Sequence, residues 1–426
     1  MGDEGHRSPA SAIASRCARA LIRAGLAIAG LAAVAAAEET GWLEQPYLTG
    51  DWNGARTRLA DRGFRPFLNY NGLVWSNLAG GQETGADVTG FLSFGIDVDL
   101  TKLGAWDGLT FRTDFHWWQG PRPTLTLIGG NLAMALSGWE ASNAFRVYNI
   151  YLRQSFADGR WSIKIGQIAA DSDFMISRYA SSFLNAAFGD LPSQNLNIDA
   201  PVYTLAAPGV VFSGQPWPWF TGRFGAYTGD AGDDVDSNHG FGWELGNNAG
   251  YTFFWEACAT VPDARLSGAY TLGAIFDTGG SAQFGTGAER RAHYEIYLMI
   301  DQALIVDEHG NPVVGAFGEL AVSPQNARNV VNLNGSAGLV LFGALPWRPQ
   351  DALGAGFSVI RFTDDFQQQE EAAGTPVGGG QSILEITYQI VIAPWLVVQP
   401  DVQFFFNPTF SRQDAYALGG QAATTF

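Results

Sequence analysis

The stretch Ser382–Pro408, SILEITYQIVIAPWLVVQPDVQFFFNP, decides how the chain folds. At a period of two, Leu384, Ile386, Tyr388, Ile390 and Ile392 fall on one side, and Glu385, Thr387 and Gln389 on the other. After Ala393-Pro394-Trp395 the pattern resumes, with Leu396, Val398, Val402, Phe404 and Phe406 alternating with Gln399, Asp401 and Gln403. Successive strand side chains point to opposite faces, so these are two amphipathic strands joined by a very short turn. A soluble sandwich and a membrane barrel share this alternation. What solvates the apolar face separates them, and the rest of the chain bears on that.

Residues 1–37 read as an export signal. Arg16, Arg19 and Arg23 form a basic start, Ala24–Ala36 is an apolar run, and Ala35-Ala36-Ala37 is an A-x-A-like cleavage site before Glu38. The run is short for a membrane anchor of about 20 residues and ends in Glu38-Glu39. The whole chain has 24 basic and 41 acidic residues; residues 1–37 hold four Arg, Asp3 and Glu4, so the remainder carries 20 against 39, net −19. An acidic chain without a basic block is ill suited to phosphate backbones, which excludes nucleic acid as a partner. Cys17 leaves with the signal and Cys258 has no partner in the chain, so no disulfide framework holds the fold.

Composition is uniform along the remaining length, with 53 Gly, 13% aromatic residues and only Lys102 and Lys164 as lysines. No linker or charge block marks a domain boundary, and no apolar run outside the signal reaches the roughly 18 residues of a membrane helix. One amphipathic helix is readable at Asn53–Arg62, before Gly63, which suits a glycine just past a helix end. The remainder is a series of alternating segments. Leu92, Phe94, Ile96, Val98 and Leu100 oppose Ser93, Gly95, Asp97 and Asp99; Leu109, Phe111, Phe115 and Trp117 oppose Arg112, Asp114 and His116. Phe220, Phe224 and Ala226 oppose Thr221, Arg223 and Gly225; Tyr294, Ile296, Leu298 and Ile300 oppose Glu295, Tyr297, Met299 and Asp301. Less regular segments near 64–77, 145–156, 161–167, 208–214, 251–259, 268–277, 315–322, 332–342 and 354–363, a last one at Ala415–Phe426, and the hairpin bring the count to about sixteen.

A soluble protein with this many strands needs helices or several sandwiches to cover the apolar faces, and the helices are missing. A closed barrel in hydrocarbon uses the same pattern in one domain without sheet edges. The expectation is therefore all-β: a transmembrane antiparallel barrel of about 16 strands over residues 64–426, preceded by a periplasmic segment, 38–63, with the short helix. About sixteen strands are enough to enclose an aqueous channel.

Period-two phase places Asp97, Asp99, Arg112, Asp114, His116, Lys164, Arg223, Glu295, Asp301, Glu385, Gln399, Asp401 and Gln403 toward the lumen, where Trp118 also phases inward as a stacking candidate. Asp171, Asp173, Arg178 and Asn185 lie in the long Ala169–Ala207 connection, which either folds into the channel or is an ordinary external loop. Trp117, Trp161, Trp217, Trp219 and Trp395 read as interface-girdle residues. Enzyme signals are poor: no Gly-x-x-x-x-Gly-Lys, no His-Glu-x-x-His and no metal-ligand spacing of histidines. No cofactor is expected, and the Asp230–Asp236 loop is a bare possibility for Ca²⁺.

Five motifs resemble one family. Leu48-Thr49-Gly50-Asp51-Trp52-Asn53-Gly54-Ala55-Arg56 through Leu59 is similar to an L-x-G-D-W-G-G-x-R-x-x-L signature, with Asn53 where Gly is usual. Asp97–Leu109 holds a D-x-D-L-x-K-L segment, Asp301-Gln302 a D-Q pair, Leu345–Asp351 a P-x-R-P-x-D turn, and the hairpin an L-E-x-T-Y … P-W-L … Q-P-D-x-Q … N-P pattern. Together they resemble the carbohydrate-selective porins of OprB type. The resemblance implies a sixteen-stranded outer-membrane channel favouring mono- or oligosaccharides, as a monomer or homotrimer in outer-membrane lipid. A general or cation-preferring porin is the alternative within the same architecture; a barrel enzyme or adhesin is the alternative outside it.

Overall fold

The computed structural model describes residues 41–130, 132–189, 191–246, 249–261, 266–408 and 413–426. The export signal read over residues 1–37 lies outside them. Among the described residues, sixteen antiparallel strands close into one barrel, each paired with its sequence neighbours. They are β1 (Phe64–Ala79), β2 (Gly85–Asp99), β3 (Leu109–Gln119), β4 (Phe145–Phe156), β5 (Trp161–Ile168), β6 (Ala207–Trp217), β7 (Phe220–Thr228) and β8 (Tyr251–Val261). The second half comprises β9 (Gly268–Ala282), β10 (Glu289–Val306), β11 (Pro312–Val322), β12 (Val331–Phe342), β13 (Ala352–Phe362), β14 (Gly380–Ala393), β15 (Leu396–Phe406) and β16 (Ala415–Thr425). The seam is β1 against β16, from Asn69↔Thr425 to Ala79↔Tyr416, and it leaves no open edge. Every alternating segment read from the sequence is a strand. The hairpin is β14–β15, turned by Pro394-Trp395 and in register from Ser382↔Phe406 to Ala393↔Leu396.

Strand alternation sorts the side chains. Along β10, His293, Glu295, Tyr297, Met299 and Asp301 are buried, whereas Tyr294, Ile296 and Leu298 are exposed, Ile296 by 55%. Polar groups thus sit inside and large apolar groups outside, the reverse of a water-soluble sheet. Such an exterior is matched to hydrocarbon. Among the described residues no helix is long and apolar enough to cross a membrane.

Among the described residues three α-helices accompany the barrel: α1 (Ala55–Asp61), α2 (Pro192–Asn197) and α3 (Asp364–Ala372). Helix α1 stops where Gly63 takes φ +96°, the left-handed conformation a glycine adopts without strain, and the Gly63 N–H donates to Ala60 O. The segment around α1 docks on the end of β16. Arg56 donates to Phe426 O at 2.8 Å with its guanidinium between the rings of Tyr47 and Trp52, 3.9 and 4.2 Å away. Leu48 N–H donates to Thr425 O. Trp395, expected in an interface girdle, is instead 3% exposed: Trp42 lies against it at 4.4 Å and accepts its Nε1–H through the backbone. The reason is that this signature segment covers the β14–β15 turn.

Candidate functional site

The connections at the barrel end opposite the termini include three long ones, 120–144, 169–206 and 229–250. The 169–206 loop runs inside the barrel along the wall from β5 to β15, and consecutive wall side chains hold it. Lys164 on β5 pairs with Asp173 at 2.7 Å. Glu256 on β8 accepts from Met175 N at 2.6 Å. Asp301 on β10 accepts from Ser177 Oγ and from the Arg178 and Tyr179 N–H groups, at 2.8, 3.0 and 3.0 Å. Glu385 on β14 accepts from Leu184 N and Asn185 N at 2.7 and 2.9 Å. Glu319 on β11 accepts from Ser336 Oγ at 2.5 Å, and Glu295 on β10 from Ser323 Oγ. Charged acceptors on backbone N–H groups are among the stronger hydrogen bonds. Each one also satisfies a loop N–H that the barrel interior would otherwise leave unpaired.

Amides of the hairpin complete the grip. Gln399 Nε2 and Gln389 Nε2 both donate to Ser182 O, and Asn185 Nδ2 donates to Gln403 Oε1. Gln403 Nε2 donates to Leu136 O in the 120–144 loop and to Asp401. Between these bonds, apolar loop side chains fill the wall: Phe174 and Met175 pack with Phe254 and Tyr297, and Phe183 and Phe188 with Phe317. The third long loop is tied in by Arg146 on β4, which is fully buried. It reaches Asp234 at 2.7 Å, the Asn238 and Val235 carbonyls and Thr204, and its guanidinium lies 5.0 Å over the Trp118 ring.

What the loops leave open lies along β1–β4 and β16. Arg112 donates to Asp97 at 3.1 Å and to Asp114 at 2.9 Å, its side chain a third exposed and that of Asp97 nearly half. Directly paired residues share a face, so Arg65 opposite Asp97 and Arg153 opposite Lys164 also point inward, and both are exposed. Arg178 is exposed on the inner loop. A cavity of about 550 Å³ adjoins this region, lined by Phe91, His116, Trp139, Tyr148 and Tyr203 together with Asn69, Ser93, Ser172 and Thr425. A second cavity of about 270 Å³, lined among others by Glu140, Asp199, Asp233 and Asp234, also touches Tyr203.

The candidates named from phase separate into groups. Asp97, Arg112, His116 and Arg223 reach the inner face with part of their surface open, and Arg223 pairs with Glu256 at 3.0 Å. Asp114 is buried, accepting from Asn149 N and Nδ2 where the β3–β4 register shifts. Lys164, Glu295, Asp301, Glu385, Gln399, Asp401 and Gln403 point inward but are sealed behind the loops. The hairpin strip expected as open channel wall is thus a loop-holding surface, because carboxylates and amides of correct phase are also the natural partners of loop N–H groups. Asp99 shares the inward phase of Asp97 but ends β2, and its side chain accepts from Thr101 N, capping the turn. Trp118 is 2% exposed, its Nε1–H donated to Tyr203 Oη at 2.6 Å, so it supports another ring and is not a free platform. Asp171 and Asp173 lie half-buried in the inner loop, which folds into the barrel rather than standing outside it; Asp171 accepts from Tyr203 N. Asn185 is buried.

Arg146, Glu256 and Glu319 were absent from the phase-derived set although each lies on a strand at an inward position, so extending the phase through 145–156, 251–259 and 315–322 finds them. Trp139 and Tyr203 lie in aperiodic loops where no such signal exists. Among the described residues no cluster of three or more His, Cys, Asp or Glu is placed to hold a metal ion, and Asp234 of the loop considered for Ca²⁺ is committed to Arg146.

A sixteen-stranded barrel with polar groups inside, apolar groups outside and loops folded into the lumen defines an outer-membrane channel. A model of the carbohydrate-selective porin, OprB family, matches residues 83–426, and the chain belongs to that family. It is an outer-membrane sugar channel. Porin B of Pseudomonas aeruginosa is 25% identical over 421 residues, covering 89% of this chain and 90% of that protein. A putative porin, QuiX, of Acinetobacter baylyi is 22% identical over 407 residues, with 88% and 92% covered. Among solved structures, the high-pH structure of Pseudomonas putida OprB superposes with a TM-score of 0.82 at 22% identity, covering 91% of this chain and all of that one. The low-pH structure of the same protein gives 0.59 at 19% identity, with 90% and 99% covered.

Proposed function

We propose that sugars diffuse passively through one barrel, along the side of the lumen formed by β1–β4 and β16, without chemical conversion. The observation that supports this reading is the row of wall carboxylates gripping the 169–206 loop. A bare sixteen-stranded barrel is a wide hole; an immobile loop along its far wall turns it into a narrow passage of fixed shape. Asp97, Arg112, His116, Arg223, Asp171 and Arg178 are the groups that meet the solute. Lys164, Asp173, Asp114, Glu295, Asp301, Glu385, Gln399, Asp401 and Gln403 hold the passage open from behind. Forked Arg donors beside carboxylate acceptors suit hydroxyl pairs, and weak bonds of this kind permit release.

The passage itself is not acidic. Arg65, Arg112, Arg153, Arg178 and Arg223 stand in or beside it, which favours a neutral polyol over the cation preference that net charge alone suggests. In this reading residues 1–37 are removed on export, 38–63 sit at the periplasmic rim, and lipid covers the apolar exterior. The path lies within a single chain, so a monomer and a homotrimer conduct alike. Purified chain in a planar bilayer tests this: stepwise conductance that glucose reduces is expected. Absence of conductance overturns the channel reading, and conductance indifferent to sugars reduces it to a general porin.

A further inference from the structure

The 550 Å³ cavity presents an arrangement that hydrogen bonding to hydroxyls does not require. Trp139, on the 120–144 loop, leaves 37% of its surface exposed although it stands inside the barrel, against mid-strand Gln421. Its indole is held in place: it stacks on Phe91 at 5.0 Å and 11°, and its Nε1–H donates to Gln421 Oε1 on β16 at 3.1 Å. Gln421 in turn donates to Gln399, the same amide that bonds the inner loop at Ser182. Tyr203, from the end of the 169–206 loop, meets Trp139 at 6.1 Å and 81°, and its hydroxyl is fixed by Trp118 Nε1–H. Two rings from different loops therefore form a rigid right-angled corner. The barrel wall adds Asn69, Ser93 and Thr425, and the loop adds Ser172.

We propose that the Trp139–Tyr203 corner is a stacking subsite for the ring of a cyclic hexose. A pyranose has a face of C–H bonds and a rim of hydroxyls. The first suits the negative face of an aromatic ring, and the second suits amide and hydroxyl groups on the surrounding wall. The cavity falls within the roughly 300–1,000 Å³ of small-ligand sites. Holding both rings in advance means that stacking orders nothing further in the protein, so the contact is made and broken at little entropic cost. An open-chain polyol of the same carbon number has the hydroxyls but no ring face. The subsite therefore selects ring form over open chain, a distinction that hydroxyl-bonding arginines and carboxylates do not make.

This inference rests on the sugar-channel reading, and liposome swelling separates the two. Vesicles carrying the full chain are challenged with isotonic glucose and with sorbitol. The expected result is faster entry of glucose. In Trp139→Ala that preference falls by roughly two- to tenfold, the range one aromatic face supplies, and Trp139→Phe retains most of it. Correct folding of each variant is read from its unboiled electrophoretic band. Equal entry of glucose and sorbitol in the unmodified chain, or an unchanged ratio in Trp139→Ala, overturns the subsite and leaves the channel standing. Entry of neither solute overturns the channel reading and this inference with it.

Discussion

Arg146 shows how much one side chain holds. It is buried against the Trp118 ring and joins Asp234 to four backbone or hydroxyl acceptors from two loops. Arg146→Met leaves Asp234 with the longer 3.6 Å contact to Arg122 and the Ser142 N–H at 3.2 Å. Removing one member of a buried ion pair costs about 3–5 kcal/mol, and the double variant Arg146→Met with Asp234→Asn recovers part of it. Thermal conversion of the folded band reads both. Glu140 offers a pH handle. Its carboxylate accepts from Thr124 N and Oγ1, and burial pushes it up from an ordinary 4.5 to about 8, against the pull of the Thr124 bonds and Arg122. A carboxyl that keeps its proton longer when folded makes the folded state the better proton binder between those values. Its contribution to stability therefore falls as pH rises through that window, and is fully present below it. Glu140→Gln flattens this slope: the drop in unfolding temperature between pH 5 and pH 8.5 is smaller in the variant than in the unmodified chain.

The inner loop is where one element acts on others. Glu385 and Asp301 together accept four backbone N–H groups and one hydroxyl from it. Charge-assisted bonds of this kind contribute about 1.5–3 kcal/mol each. Glu385→Gln combined with Asp301→Asn keeps the shapes but turns one acceptor oxygen of each into an NH2 group facing loop N–H donors, so the loop loosens. Single-channel records then show more flicker and a larger mean conductance, with the barrel intact by electrophoresis. The strands behind this loop were legible from sequence because their period is two and the interior is polar; all sixteen could be located. Exposure was not legible. Phase says which way Trp118 or Glu385 points, and only the loop path says what covers them. The capping role of Asp99 was not legible either, because a strand end and a turn cap share the same phase. Trp139 and Tyr203 escaped because nothing periodic places a loop side chain.

For the whole molecule, the docking of the α1 segment joins parts of the chain 370 residues apart at Arg56 and Phe426. Arg56 is buried between Tyr47 and Trp52, so Arg56→Ala removes two cation–π contacts and a charged hydrogen bond, about 2 kcal/mol or more. The expected outcome is a lower temperature for loss of the compact band and no change in sugar entry, since α1 stands outside the passage. That attachment also reports on assembly. Its landing site is complete only when β16 has met β1, the pairing with the largest loop to close. An unclosed ring therefore displays residues 41–63 to proteases, and a closed one shields them. Resistance of that segment to limited proteolysis becomes a timestamp for the moment the circle is joined.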